Sequence, residues 1–213
     1  MNEAAGKYIV IEGPVGVGKT TLARRLAQSL GCEPMLESPE ENPFLPHFYE
    51  QPRRYALPTQ LFFLFQRTRQ IQSLQQADLF TPVRVGDFLL EKDRLFAELT
   101  LTPEELNLYN QVEKHLAVEA AAPDLVIYLQ APAPVLLQRI ARRGVAYERR
   151  ISEDYLNRLV EAYVRFFHHY DAAPLLIVNA TEIDLANDEA DCAALLERVR
   201  QAPPGRHYVN LRY

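Results

Sequence analysis

One segment near the amino terminus constrains this chain more than any other: Gly13-Pro14-Val15-Gly16-Val17-Gly18-Lys19-Thr20, a complete GxxxxGKT between the apolar run YIVIE and the helical pattern TTLARRLAQSL. Glycines in such a turn let backbone N–H groups converge on phosphate oxygens, and the helix that follows adds its positive end. Lys19 contributes a point charge, Thr20 a hydroxyl able to ligate Mg2+, and Thr21 continues the first helical turn. The segment therefore predicts a site for Mg-ATP. It also makes the chain open as strand, loop and helix, the first half of a parallel-sheet unit with a right-handed crossover.

The rest of the sequence continues that alternation. Runs of strand length rich in Val, Ile and Leu occur at Tyr8 to Glu12, Pro34 to Glu37, Val83 to Asp87, Leu125 to Leu129 and Leu175 to Val178. Near-continuous apolar runs are what a parallel strand buried on both faces requires. Helical periodicity fills the intervals at Lys19 to Leu30, Pro58 to Ala77, Pro103 to Ala121, Pro134 to Arg143, Ser152 to Tyr170 and Asp188 to Gln201. Pro58, Pro103 and Pro134 read as first-turn prolines and Ser152 as a helix start. The expectation is an α/β fold: a five-stranded, doubly wound parallel sheet flanked by helices. The tail APPGRHYVNLRY, residues 202–213, reads as irregular chain. At 213 residues, with no internal repeat and no glycine- or serine-rich linker, the chain reads as a single domain, 1–213.

Acidic side chains outnumber basic ones by 28 to 23, a net charge of −5, so no global basic surface exists to hold nucleic acid or a membrane. An anion has to be bound by a local pocket. The opening apolar stretch is too short for a membrane span or a signal segment. Two cysteines, Cys32 and Cys192, form neither a metal-binding spacing nor a disulfide framework. These features point to a cytoplasmic protein.

Two common uses of a phosphate loop do not fit. The guanine-reading NKxD pattern is missing, since its nearest match, Asn179-Ala180-Thr181-Glu182, lacks both the lysine and the aspartate. A helicase-like DEAD occurs at Asp188-Glu189-Ala190-Asp191, but it follows a polar stretch rather than a buried strand and reads as an acidic helix start. An acceptor group does fit. Gly86-Asp87-Phe88 puts a carboxylate at the carboxyl end of a central strand, where open parallel sheets bind ligands. There it can accept a hydroxyl proton or hold magnesium, or merely cap the next turn. Farther along, Arg139, Arg142, Arg143, Arg149 and Arg150 crowd around Gly144 and Glu148. Guanidinium groups this dense repel one another unless an anion or several carboxylates lie among them, so residues 139–151 read as a short arginine-rich lid over a transferring phosphoryl group, or else as a solvated basic helix end.

In this order the segments resemble the deoxynucleoside kinase family, P-loop kinases that transfer the ATP γ-phosphate to the 5′-hydroxyl of a deoxyribonucleoside. The resemblance runs through the phosphate loop, LESPEENPFLPHFYE, QLFFLFQRTRQ, DFLLEKDRLFA and RIARRGVAYERRISEDYLNRL, and is nearest to the bacterial deoxyadenosine/deoxyguanosine kinase-like branch. It implies the P-loop kinase fold, ATP and Mg2+ as cofactors, a purine deoxynucleoside with deoxyadenosine first, and a homodimer. By position it implies that Asp87 is the base toward the 5′-hydroxyl, acting with Lys19 and Arg143, and that Glu37 sits with Thr20 near magnesium. It further implies that Tyr55 and Glu148 hold the sugar 3′-hydroxyl, that Gln66 reads the base, and that Arg139 and Arg143 contact the phosphates. Tyr55 precedes Gln66 by eleven residues, as the pattern asks, and Asp93 and Arg69 follow as base-side partners. The chain departs from the family at Phe88, where an arginine is usual, and at Val145, where the lid often carries another. Arg94, Arg142, Arg149 and Arg150 are the candidates to replace that charge.

Apart from the resemblance, Phe62, Phe65, Gln66 and Arg69 recur at helical spacing, either as a slot for a nucleobase or as a core-facing aromatic stripe beside a solvated glutamine. Two other functions stay open. A nucleoside monophosphate kinase, thymidylate-like, has to clamp an acceptor phosphate, with Arg53, Arg54, Arg69 or Arg94 as candidates. A P-loop regulatory protein would bind ATP without turning it over.

Overall fold

The computed structural model describes residues 7–76, 83–116 and 121–211. Among these, six strands form one sheet: β1 (Lys7–Glu12), β2 (Pro34–Met35), β3 (Val83–Gly86), β4 (Leu125–Gln130), β5 (Leu175–Asn179) and β6 (Arg206–Val209). Their order is β2-β3-β1-β4-β5-β6, with every neighbouring pair parallel. The helices are α1 (Lys19–Leu30), α2 (Leu45–Glu50), α3 (Pro52–Gln76), α4 (Lys92–Thr100), α5 (Pro103–Leu116), α6 (Ala133–Arg143), α7 (Glu153–His169) and α8 (Glu189–Arg200). Val10, Ile11, Val85, Val126, Ile127, Leu129 and Val178 are wholly buried. Helices cover both faces of these strands, which is why β1, β4 and β5 carry near-continuous apolar runs, while β3 is interrupted by the half-buried Arg84.

Register places the site. Val10 lies beside Gly86 and Glu12 beside Tyr128. The phosphate loop leaving β1 and Asp87 leaving β3 therefore emerge together at the carboxyl edge. The chain runs from β1 outward to β2 and β3, then crosses to β4, so this edge is also where the strand order reverses.

The sheet has six strands, not the expected five. The sixth comes from the tail expected to be irregular: Pro203, Pro204 and Gly205 mask a short edge strand that follows them. Arg206 anchors it, donating to the Phe167 and Tyr170 carbonyls at 2.8 Å each, and so satisfies the carboxyl end of α7. Pro58 is not a first-turn residue. It lies inside α3, whose first turn is taken by Pro52, so the helix starts six residues before the expected boundary. Sequence periodicity also missed α2 and α4, of six and nine residues, which are too short to display a clear period. Ser152 and Asp188 cap α7 and α8 as expected, Ser152 accepting from Tyr155 N, and Asp188 from Ala190 N and Asp191 N. The expected ends of two helices, at Ala77 and over 117–120, lie outside the described residues, and Ala121 itself is not helical.

Gly13 shows how tightly the phosphate loop is seated on β4. Its φ is +148°, and a Cβ would stand 2.5 Å from the Leu129 carbonyl oxygen. Gly13→Ala is expected to lose about 1–3 kcal/mol of stability through strain and to weaken ATP binding, since the loop has to lift off β4. A thermal melt with an ATP titration checks both. Unchanged Tm and ATP affinity would contradict this packing.

Candidate active site

A cavity of about 660 Å3 opens at the carboxyl edge of the sheet. Val15, Gly16, Val17, Gly18, Lys19, Thr20 and Thr21 line it along the phosphate loop and the first turn of α1. Gly13 and Pro14 do not line it; they shape the loop from behind, their carbonyls accepting from Lys19 Nζ at 2.8 and 3.5 Å. Burial, and then the nearby Lys92 ammonium, lower the Lys19 amine, against the pull of Glu12, Glu37 and Asp87.

Asp87 faces this loop. Thr20 Oγ1 donates to its Oδ2 at 2.6 Å, and the Glu37 backbone N–H donates to its Oδ1 at 2.8 Å. The side chain is thus pinned between the start of α1 and the chain after β2. Burial raises the Asp87 carboxyl above the usual range and outweighs the two hydrogen bonds that favour its anion. A carboxylate so placed is a better proton acceptor than one in water. Glu37 behaves in the opposite way. Burial pushes its carboxyl up, but Arg67, Lys92 and Lys19 together hold it down at about 2.

Two residues expected in the cavity are elsewhere. Tyr55 stacks on His47 with ring centroids 5.1 Å apart and does not line the cavity. Gln66 donates from Nε2 to Glu41 Oε2 at 2.9 Å and to the Ser38 carbonyl at 3.2 Å, tying the turn Pro39–Glu41 to α3. Tyr49 and Gln60 line the cavity instead, six residues earlier and separated by the same eleven. The physical reason is helix phase. On α3, Ala56, Gln60, Leu64, Arg67 and Ile71 face inward and are buried, whereas Phe65 is 41% exposed and Arg69 is also exposed. The run FFLF is apolar on every side, so periodicity alone fixed no inward face. Arg67, not Arg69, is the buried guanidinium here. It bonds Glu37 and Asp93, with its Cζ 5.0 Å from the Phe63 ring centroid. Asp93 is thus brought beside the cavity wall, and its Oδ2 is buried with no partner among the described residues.

The lid region is more committed than its sequence suggested. Arg139, expected on phosphate, donates to the backbone carbonyls of Ala180 (2.7 Å), Ile183 (2.8 Å), Val17 (3.3 Å) and Thr181 (3.3 Å). It therefore joins α6 to the phosphate loop and to the segment after β5. Arg143 forks onto Glu148 at 2.6 and 3.0 Å, and Arg142 lies 3.3 Å from Asp184. All three arginines line the cavity, as does Glu148, which is buried. Tyr49 stacks on Tyr147 beside Glu148, and burial pushes its hydroxyl well above the ordinary range. Phe88 is wholly buried and offers no charge, while Arg94 points away to pair with Glu98. None of Arg53, Arg54, Arg69 and Arg94 lines the cavity. Asn179 caps its own turn, accepting from Thr181 N at 3.1 Å, as befits a chain without a guanine-reading motif.

A phosphate loop confronting a buried acid across the switch point of a parallel sheet places the molecule among P-loop phosphotransferases. Comparison narrows that class. The chain belongs to the deoxynucleoside kinase family, whose sequence model, described as Deoxynucleoside kinase, matches residues 9–202. It is 33% identical over 200 residues to a deoxyguanosine kinase from Bacillus subtilis (strain 168), covering 91% of this chain and 96% of that one. It is 29% identical over 197 residues to a deoxyadenosine kinase from Lactobacillus acidophilus (strain ATCC 700396 / NCK56 / N2 / NCFM), covering 85% and 89%. A solved deoxyadenosine kinase from M. mycoides with bound dATP superposes with a TM-score of 0.78 at 25% identity, covering 91% of this chain and 99% of that one.

Proposed function

We propose that the protein transfers the γ-phosphate of Mg-ATP to the 5′-hydroxyl of a purine deoxyribonucleoside. The observation that carries this is Asp87, buried, raised toward a proton acceptor and hydrogen-bonded to Thr20 of the phosphate loop. The 5′ oxygen attacks the γ-phosphorus while its proton passes to Asp87, and the bond to the bridging oxygen of ADP breaks. Backbone N–H groups of Gly16 and Gly18 and the Lys19 ammonium hold the donor phosphates, and Arg143 approaches them from the lid once it leaves Glu148. No group of three or more His, Cys, Asp or Glu among the described residues could hold a metal alone. Thr20, with the Asp87 carboxylate bonded to it and Glu37 lining the same cavity, supplies only a few oxygen donors, which suits Mg2+ completed by phosphate oxygens. That ion, when bound, neutralises charge on the phosphates.

Tyr49, kept protonated, and Glu148 offer a donor and an acceptor for the sugar 3′-hydroxyl. Gln60 presents an amide to the base, and Arg67 with Asp93 adds a charged pair beyond it, while Phe63 and Phe96 supply apolar surface. The deoxyguanosine and deoxyadenosine kinases among the relatives support a purine. Assays of ATP with each deoxynucleoside and each 5′-monophosphate test the reading. ADP should form with deoxyadenosine or deoxyguanosine and not with their monophosphates; the reverse would make this a monophosphate kinase. Gln60→Ala should raise the nucleoside KM about 5- to 100-fold by leaving base polar groups unpaired, whereas Gln66→Ala should change it less than about twofold. The opposite ranking would restore Gln66 as the base reader.

A homodimer belongs to this reading, supported by the packing together of α3 and α5, which expose Phe65 and Leu108 to 41% and 48%. So does a reducing cytoplasm, supported by the unpaired Cys32 and Cys192. No described helix is long and apolar enough to cross a membrane.

A further inference from the structure

Lys92 opens α4 five residues after Asp87, is only 2% exposed, and lines the cavity. Its Nζ lies 2.9 Å from Glu37 Oε2 and 3.1 Å from Glu12 Oε1. Glu12 has other hydrogen-bond donors, but Lys92 is its ion-pair partner, and Lys92 also holds the Glu37 oxygen that Arg67 leaves free. Glu12 also accepts from the N–H groups of Gly13 (2.8 Å) and Leu89 (3.1 Å) and from the Tyr163 hydroxyl (2.9 Å). Glu37 is gripped by Arg67 through Nε at 2.7 Å and through Nη2. Neutralising these two acids accounts for the burial of Lys92, and its place in the cavity wall also presents the same ammonium to a further anion there.

Phosphoryl transfer supplies such an anion. A phosphoryl group in flight spreads negative charge over three equatorial oxygens. On the acceptor side of this cavity it meets Asp87 and Glu37, and Phe88, next in the chain, brings no charge. Lys19 serves the donor side, and Lys92 lies near enough to act on the Lys19 amine electrostatically. The two ammonium groups thus flank the place where loop and acid meet.

We propose that Lys92 is a second catalytic cation, which donates a hydrogen bond to the transferring phosphoryl group from the acceptor side. The proposal rests on the phosphotransfer reading above. As the 5′ oxygen bonds to phosphorus, the bond to ADP breaks and ADP keeps the electron pair. The hydroxyl proton goes to Asp87, and Lys92 keeps all of its own. An ammonium on a flexible four-carbon stem has three donors, so it takes up this contact without releasing both acids.

Lys92→Met tests it, compared with wild type for kcat, for both KM values and for affinity toward ADP with aluminium fluoride plus nucleoside, a mimic of the group in flight. The variant should lose about 10²–10³ in kcat and bind the mimic correspondingly more weakly, with ADP and nucleoside affinities within about threefold of wild type. Soluble alkylamines should partly restore Lys92→Ala. Because removing one buried charge can unfold the chain, Lys92→Met is also made with Glu12→Gln. A folded double variant should remain as slow as expected for the single change. Wild-type kcat in either form, or recovery of kcat on adding Glu12→Gln, would show that Lys92 only neutralises its neighbours. A wild-type protein that phosphorylates no nucleoside sinks the functional reading itself, whereas normal wild-type turnover with an undiminished variant sinks Lys92 alone.

Discussion

Asp87→Asn is expected to lower kcat by about 10²–10⁴ while leaving ATP and nucleoside affinity nearly intact. Asparagine keeps the shape and can still accept from the Glu37 N–H, and the Thr20 hydroxyl can turn to accept from the new amide. What it cannot do is take a proton. The pH dependence carries a second signature. Burial raises the Asp87 carboxyl, and only the ionised form is a base, so kcat/KM should climb with pH along a limb displaced above the ordinary aspartate value of about 3.9. In Asp87→Asn that limb should vanish. The effect on stability has the opposite sign from that of Glu37. Ionising a buried acid whose carboxyl is raised opposes folding, so Asp87→Asn should not lower stability at neutral pH. Glu37 is held at about 2 against an ordinary 4.5, so its contribution is present above 4.5 and is lost as pH falls through about 2. Single-turnover rates across pH decide the matter; a variant within about threefold of wild type, with its acid limb unmoved, would remove Asp87 from the chemistry.

The parts of this site that were legible in the sequence are those whose chemistry is local. The phosphate loop is one: Gly13 to Thr20 specify their own backbone shape, and α1 begins and ends at Lys19 and Leu30 as read. The core strands β1, β4 and β5 were legible because burial on both faces demands near-continuous apolar runs, and β3 from Val83 and Val85 on either side of Arg84, with Asp87 following from its end. Features that depend on distant partners were not legible. Nothing near Arg139 announces that its donors will go to carbonyls at 180, 181 and 183, which the chain reaches only after α7 and β5. Nor does QLFFLFQRTRQ say which of its faces turns inward. Packing of α3 on α2 and α4 settles that, and it selects Gln60 and Arg67 over Gln66 and Arg69. Nor does the sequence around Lys92 and Asp93 show that both are buried, since their counter-ions arrive from other elements.

That last point makes Arg67 the residue on which both fold and site should depend most. Its side chain is 4% exposed, and it bridges Glu37 from the end of β2 and Asp93 from α4. Replacing Arg67 with leucine should cost about 3–5 kcal/mol of folding stability, the range for stranding a buried charge. Most of that loss should arise at Asp93. Glu37 retains Lys92 on its other oxygen, whereas Asp93 would be left with neither oxygen paired, its Oδ2 already lacking a partner among the described residues. Adding Asp93→Leu to Arg67→Leu should then recover much of the stability, since apolar groups can replace a buried ion pair at little net cost. Nucleoside binding should not recover if, as proposed, the pair also supplies the charged end of the base wall. Urea unfolding and nucleoside titration of the two variants separate these roles. Equal destabilisation of single and double variants would mean that the guanidinium holds the helices together by packing on Phe63 rather than by charge. Nucleoside affinity returning with stability would mean that Arg67 and Asp93 serve the fold alone.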